Sequence, residues 1–140
     1  MKFLRMTPQD LNLIVAPEQP YMIVMDIAHP QTVVSVLAAL SGDASIYFST
    51  GGGVIGGEGH ESVRAAAITW VREATKHLAH FSRASAFIFP RNGNVCFYVG
   101  TPEGVFIAEV SEQALQEGSS PLSALYGAGR NVITALRIPL

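Results

Sequence analysis

Between Ser62 and Phe81 the apolar residues recur at helical spacing. Val63, Ala66, Ala67, Trp70, Val71, Ala74, Leu78 and Phe81 fall on one face of a helix that starts near Glu61. Its second face is mild, with Ala65, Ile68 and Thr69 where a solvated helix is usually charged. A helix apolar on two sides must be covered on two sides. One face is therefore expected on this chain's own sheet, and the other on a partner, most simply the same helix of a second copy.

Helical spacing also runs through Val33, Val36, Leu37 and Leu40, and Ser41-Gly42 supplies a stop, which predicts a helix over 31–41. The β-branched residues Val33, Val34 and Val36 weigh against it. Thr7 followed by Pro8 opens a short helix over 7–16, ended by Pro17 and Pro20. Ser120-Pro121 opens a last helix carrying Leu122, Leu125, Tyr126, Val132, Ile133 and Leu136.

Elsewhere the apolar runs lack that period. Tyr21–Ala28 is apolar on both parities and reads as a strand or an extended arm. Residues 44–57 read as a hairpin turning at Gly51-Gly52, where glycine supplies positive φ without a Cβ clash. Ala84–Pro90, Asn94–Gly100 and Val105–Val110 read as a three-strand meander joined by Asn92-Gly93 and by Thr101-Pro102-Glu103-Gly104. Ser111–Gly118 reads as a polar connection or a helical turn. The expected fold is α/β of the α+β type: a five-stranded, mainly antiparallel sheet with a long central helix and flanking helices. The 140 residues are expected to form a single domain, with 1–28 an N-terminal helix and arm and 29–140 the core.

Composition narrows the function classes. Only 14% of residues are charged against 49% hydrophobic, and so little charge suggests that some surface is hidden in an oligomer. A formal charge of −2, a pI near 6.0 and nine scattered cations argue against nucleic-acid binding. No segment approaches the ~18 to 20 apolar residues of a membrane span, so no membrane partner and a cytoplasmic location are expected. The single cysteine, Cys96, sits in a strand-like run and reads as a small buried hydrophobe.

The glycine cluster is the strongest chemical candidate. Gly51, Gly53 and Gly56 match Gly-x-Gly-x-x-Gly, but Glu58-Gly59-His60 delays the helix, and no ribose-binding acid follows in a βαβ unit. No Gly-Lys-Ser/Thr makes it a phosphate loop. A gentler reading keeps amides near Gly57 and Gly59 at the helix start as an anion site, helped by His60 and Arg64. Against it, Glu58 or Glu61 supplies the negative group from within the chain. Glu73, His77 and His80 share part of a helical face without an evident third metal ligand of matching spacing, and no serine or cysteine elbow has a marked histidine and acid. No cofactor is expected.

From residue 31 onward, the order helix, hairpin, long helix, three strands and helix resembles the Roadblock/LC7 domain. The residues that carry it are Gln31–Leu40, Ile46–Ile55 with its Gly51-Gly52 turn, Ser62–Phe81, Phe87–Phe89, Val95–Val99, Val105–Glu109 and Pro121–Leu136. The resemblance implies a five-stranded sheet, a homodimer through the central helix and an adjacent strand, and scaffold or regulatory work on a partner such as a small GTPase. The segment Ser49–Gly57, followed by His60-Glu61 and Val63-Arg64, is also similar to bacterial proteins that bring no known activity with them. The combined expectation is a non-enzymatic homodimeric interaction module. Its interface would use Val54 and Ile55 on the edge strand and Ala65, Ile68, Thr69 and Arg72 on the helix; the alternative is an anion or nucleotide sensor, or an enzyme, built on Gly57, Gly59, His60 and Arg64.

Overall fold

A computed structural model describes residues 6–56 and 60–136. The described residues form one seven-stranded antiparallel sheet with three α-helices, an α+β fold. The strands are β1 (Met22–Ala28), β2 (Val33–Ala39), β3 (Ala44–Phe48), β4 (Gly53–Gly56), β5 (Ser82–Arg83), β6 (Asn94–Thr101) and β7 (Gly104–Ser111). Their order across the sheet is β4-β3-β2-β1-β6-β7-β5. The helices are α1 (Glu61–Ala74), α2 (Glu112–Glu117) and α3 (Ser123–Ala135).

This corrects the expected five-stranded sheet in three places. Residues 31–41 are not a helix. Val33–Ala39 is β2, paired along its whole length with β1 and along most of it with β3. Because both faces of this part of the sheet are covered, β2 is apolar on both parities, and the alternation that marks a strand disappears. The stiff β-branched valines then suit the pleat better than a helical turn.

Tyr21–Ala28 takes the second place: β1 is the middle strand, all seven of its residues are buried, and β2 and β6 occupy its two edges. It has no free edge to offer another chain. The third correction follows from the second. Since β1 and β7 flank β6, no position beside β6 remains for Ala84–Pro90. Asn92-Gly93 still turns the chain, with Asn94 donating to the Arg91 carbonyl at 2.9 Å and Gly93 at φ 85°, but what it joins to β6 is a loop.

The long helix is also shorter than its periodicity. α1 ends at Ala74, where the Thr75 N–H is shared between the carbonyls of Arg72 and Glu73, and a 3-10 segment continues over Thr75–His80. Of the helix expected over 7–16, only Gln9–Leu11 forms, as a 3-10 turn. Thr7 and Asp10 hold that turn by exchanging backbone-to-side-chain bonds of 2.8 and 3.2 Å.

α1 and α3 lie side by side on one face of the sheet. Beneath them Ile23, Met25, Ile27, Val36, Ile46, Phe97 and Val99 meet Trp70, Val71, Leu125 and Val132 in the main core. Trp70 is completely buried and its indole N–H donates to the Leu125 carbonyl at 3.0 Å. α3 approaches this closely because Gly129 has no side chain: a Cβ there would stand 2.8 Å from Met25 Cε and 2.9 Å from Trp70 Cζ2. α3 thus covers one flank of α1 from within the chain. Among the described residues no helix is long and apolar enough to cross a membrane.

Candidate functional site

The opposite, helix-free face of the sheet carries the chain's unusual surface. Strand register sets two rows of side chains there. One row runs Tyr47, Ser35, Asp26, Cys96, Glu109; the next runs Ile55, Ser45, Leu37, Val24, Tyr98, Ile107. At the centre these rows are covered by the chain itself. Leu11, Leu13 and Val15 close over Tyr21, Met22, Val24 and Leu37, and the loop 84–93 lies over Tyr98.

Tyr98 fixes that loop. Its hydroxyl donates to the Ile88 carbonyl at 2.7 Å and accepts from the Ile88 N–H at 2.9 Å, satisfying both main-chain groups of one loop residue. Phe87 meets the Tyr98 ring edge-on, with centroids 5.6 Å apart. Burial drives the Tyr98 hydroxyl well above its ordinary pKa, so it stays protonated and able to donate. Pro90 is buried, and Arg91 N–H and Asn94 Nδ2 both donate to Glu109 at the far end of the loop.

This grip leaves Phe87, Ile88 and Phe89 facing outward, 44%, 59% and 59% exposed. At the other side of the same face Tyr47 is 43% and Ile55 77% exposed. Ile14 projects from the segment that covers the centre. Among the described residues, these six are all the large apolar side chains that stand exposed, and every one lies on the helix-free side. Scattered exposed hydrophobes are normal, whereas a set gathered on one face marks an interaction surface.

Between Ser35 and Cys96 in the first row sits a carboxyl group. Asp26 is 1% exposed and accepts from Ser35 Oγ at 2.6 Å. Desolvation raises its pKa, and the Ser35 bond offsets this only in part. Cys96 opposite it is pushed up to about 11, chiefly by burial, which makes it an inert thiol. With its pKa raised in the fold, Asp26 binds its proton more tightly there than in the unfolded chain. The stability this confers is complete below about pH 4 and is lost as pH climbs from there through the raised value. Asp26→Asn keeps a neutral group and the acceptor for Ser35, so its stability relative to the native chain should rise between pH 4 and pH 7; urea melts at several pH values would reveal a flat difference if Asp26 ionised freely.

The residues proposed from sequence separate in space. Gly57 and Gly59, with Glu58, lie outside the described residues. His60 borders a cavity of about 240 Å³ with Val54, Ile55, Gly56 and Ser62, closed on one side by Leu136. Arg64 is turned elsewhere: its guanidinium donates to the Ser41 carbonyl at 3.0 Å, and its stem lies against Gly42. His60 and Arg64 thus have different neighbours among the described residues. Ala65, Thr69 and Arg72 are exposed on α1 and Ile68 is half-buried, while Val54 turns into the main core and Ile55 points to the helix-free face. Glu73 accepts from His77 at 2.9 Å, and no cluster of three metal-ligating groups forms among the described residues.

Sequence reading misses Phe87, Ile88 and Phe89 as surface. Three consecutive large apolar residues before a proline do not alternate, and that is the one local sign that they are not half of a sheet face. Comparison of the chain with protein-family models, with curated proteins and with solved structures finds no match.

Proposed function

We propose that this protein is a non-enzymatic interaction module whose working surface is the helix-free face of its sheet. The observation that carries the reading is the gathering of Tyr47, Ile55, Phe87, Ile88 and Phe89 on that one face, with the loop fixed by Tyr98. A mobile loop would have to be ordered on binding, at a cost of about 1–2 kcal/mol for each residue's backbone. A loop already held presents its side chains without that cost. The buried polar groups support the same reading, because they are partnered within the chain: Asp26 by Ser35, Tyr98 by Ile88, Trp70 by Leu125. The small-GTPase role rests on the family resemblance alone.

Photo-cross-linking tests the reading. A photoreactive residue placed at Ile88 or Ile55 should form a protein adduct of discrete mass, and one placed at Thr69 on the solvent side of α1 should not. Adducts at Thr69 alone would move the working surface to the helix and sink this reading.

A further inference from the structure

The exposed apolar residues of the helix-free face fall into two groups. One half of the face is raised, where the loop 84–93 carries Phe87, Ile88 and Phe89 outward over β6; the other half, β3 and β4, is bare and presents Tyr47 and Ile55. Between them, over β1 and β2, lies the segment 6–16. A partner that engages both halves must cross this segment or replace it.

The segment is held differently from the loop. Where the loop bonds its main chain to Tyr98 and Glu109, the segment closes its main-chain bonds on itself. Leu11 and Leu13 donate to the Pro8 carbonyl at 3.1 and 2.8 Å, and Asn12 donates to the Gln9 carbonyl at 3.0 Å. It pairs with no strand, and among the described residues a single hydrogen bond ties it down, from the Tyr21 hydroxyl to the Met6 carbonyl at 2.6 Å. Tyr21 itself is fixed to the sheet, donating its N–H to the Gly100 carbonyl and accepting from the Leu40 N–H.

The rest of the attachment is apolar and partial. Leu11, Leu13 and Val15 are only half-buried, and a cavity of about 400 Å³ opens between Leu13, Val15, Tyr21 and Pro102. Packed interiors hold few voids larger than a water molecule. The turn Ala16–Gln19, closed by a 3.0 Å bond and followed by Pro20, separates the segment from β1, so residues 6–16 can move without disturbing the strand. A segment with local bonds and little buried area opens at a lower free energy than the sheet beneath it.

Its removal would join the two halves. Register places Ile55, Ser45, Leu37, Val24 and Tyr98 in one row across the face, and the segment covers the middle of that row. With Leu37 and Val24 uncovered, a largely apolar strip runs from Ile55 to the loop.

We propose that residues 6–16 are an autoinhibitory strap, which opens as a unit while the sheet stays folded and so admits a partner protein to the centre of the face. The inference rests on the helix-free face being the working surface, and it adds the contact that controls access to it.

Thiol labelling at neighbouring positions of β2 separates strap opening from unfolding. Leu37 faces the strap and Val36 the helices, and both are buried. In a Cys96→Ala chain, whose only thiol is then the introduced one, Leu37→Cys should react with a thiol reagent at least a hundredfold faster than Val36→Cys, each rate being corrected for its variant's stability in urea. Tyr21→Phe removes the hydrogen bond to Met6 and should speed labelling of Leu37→Cys at least threefold, with Val36→Cys unchanged. If Leu37→Cys fails to fold, Val24→Cys against Ile23→Cys makes the same comparison on β1. Equal corrected rates on the two faces overturn the strap, whatever cross-linking shows. Tyr21→Phe should also raise the yield of protein adduct from a photoreactive residue at Ile55 at least threefold. A strap that opens without changing that yield does not control access, which overturns the inference and leaves the working surface standing. No adduct at Ile55 or Ile88 in either chain overturns the working surface, and the inference with it.

Discussion

Trp70→Ala should cost about 3–5 kcal/mol of folding stability. For a domain of this size that is a large share of the ~5–15 kcal/mol available. Two losses combine. The indole is completely buried between the sheet and α3, and its removal opens a space that the packed helices can only partly close. Its N–H is also the partner of the Leu125 carbonyl, 55 residues away, so truncation removes a hydrogen bond from the first turn of α3. Trp70 is the single tryptophan, which makes far-UV circular dichroism the right probe for both proteins. Urea midpoints should fall with the slope unchanged. A loss below about 1 kcal/mol would mean that α3 collapses onto α1 without the indole.

Tyr98→Phe should cost about 1–3 kcal/mol, and its effect should be local before it is global. The ring keeps its edge-on contact with Phe87, but the Ile88 N–H and carbonyl both lose their partner. The loop must then leave the sheet to reach water, or keep two unsatisfied groups against it. Hydrogen exchange should speed up first at Ile88, ahead of the strands beneath. Unchanged exchange at Ile88 would show that the remaining loop contacts, Pro90 and the bonds to Glu109 among them, hold the loop without the hydroxyl.

Local chemistry makes some elements legible. The 44–56 hairpin forms, but its turn centres on Ser49-Thr50, closed by the Gly51 N–H on the Phe48 carbonyl at 2.9 Å, with Gly51 and Gly52 following at positive φ; the two-residue Pro102-Glu103 turn joins β6 to β7 as expected, because such turns are decided by the residues in them. The start of α1 and the extent of α3 also follow their periodicity. The illegible part is non-local. Val33, Val36, Leu37 and Leu40 satisfy a helical spacing and a doubly buried strand equally well, and only the presence of β1 and β3 on either side decides between them. Phe87-Ile88-Phe89 has the composition of a strand, and it is excluded from the sheet by Met22–Ala28, some 60 residues earlier in the chain. The candidate surface suffers most from this, since its raised half belongs to a segment with the composition of core. The hairpin pattern marks Ile55 as an edge residue, but the face it points to depends on the pairing of Ser45 with Leu37, and so on a strand whose spacing also fits a helix.

The central place of β1 also sets an order of events during synthesis. β1 through β4 follow one another as a meander, and each can pair as soon as it leaves the ribosome. The other side of β1 must wait for β6, which is complete only at Thr101. Until then the nascent chain exposes a seven-residue strand, apolar but for Asp26, along an unpaired edge, the feature that folded proteins most consistently protect. Slowing elongation between residues 60 and 100 would lengthen that interval, and with it the opportunity for neighbouring chains on one message to pair through β1 instead of folding alone.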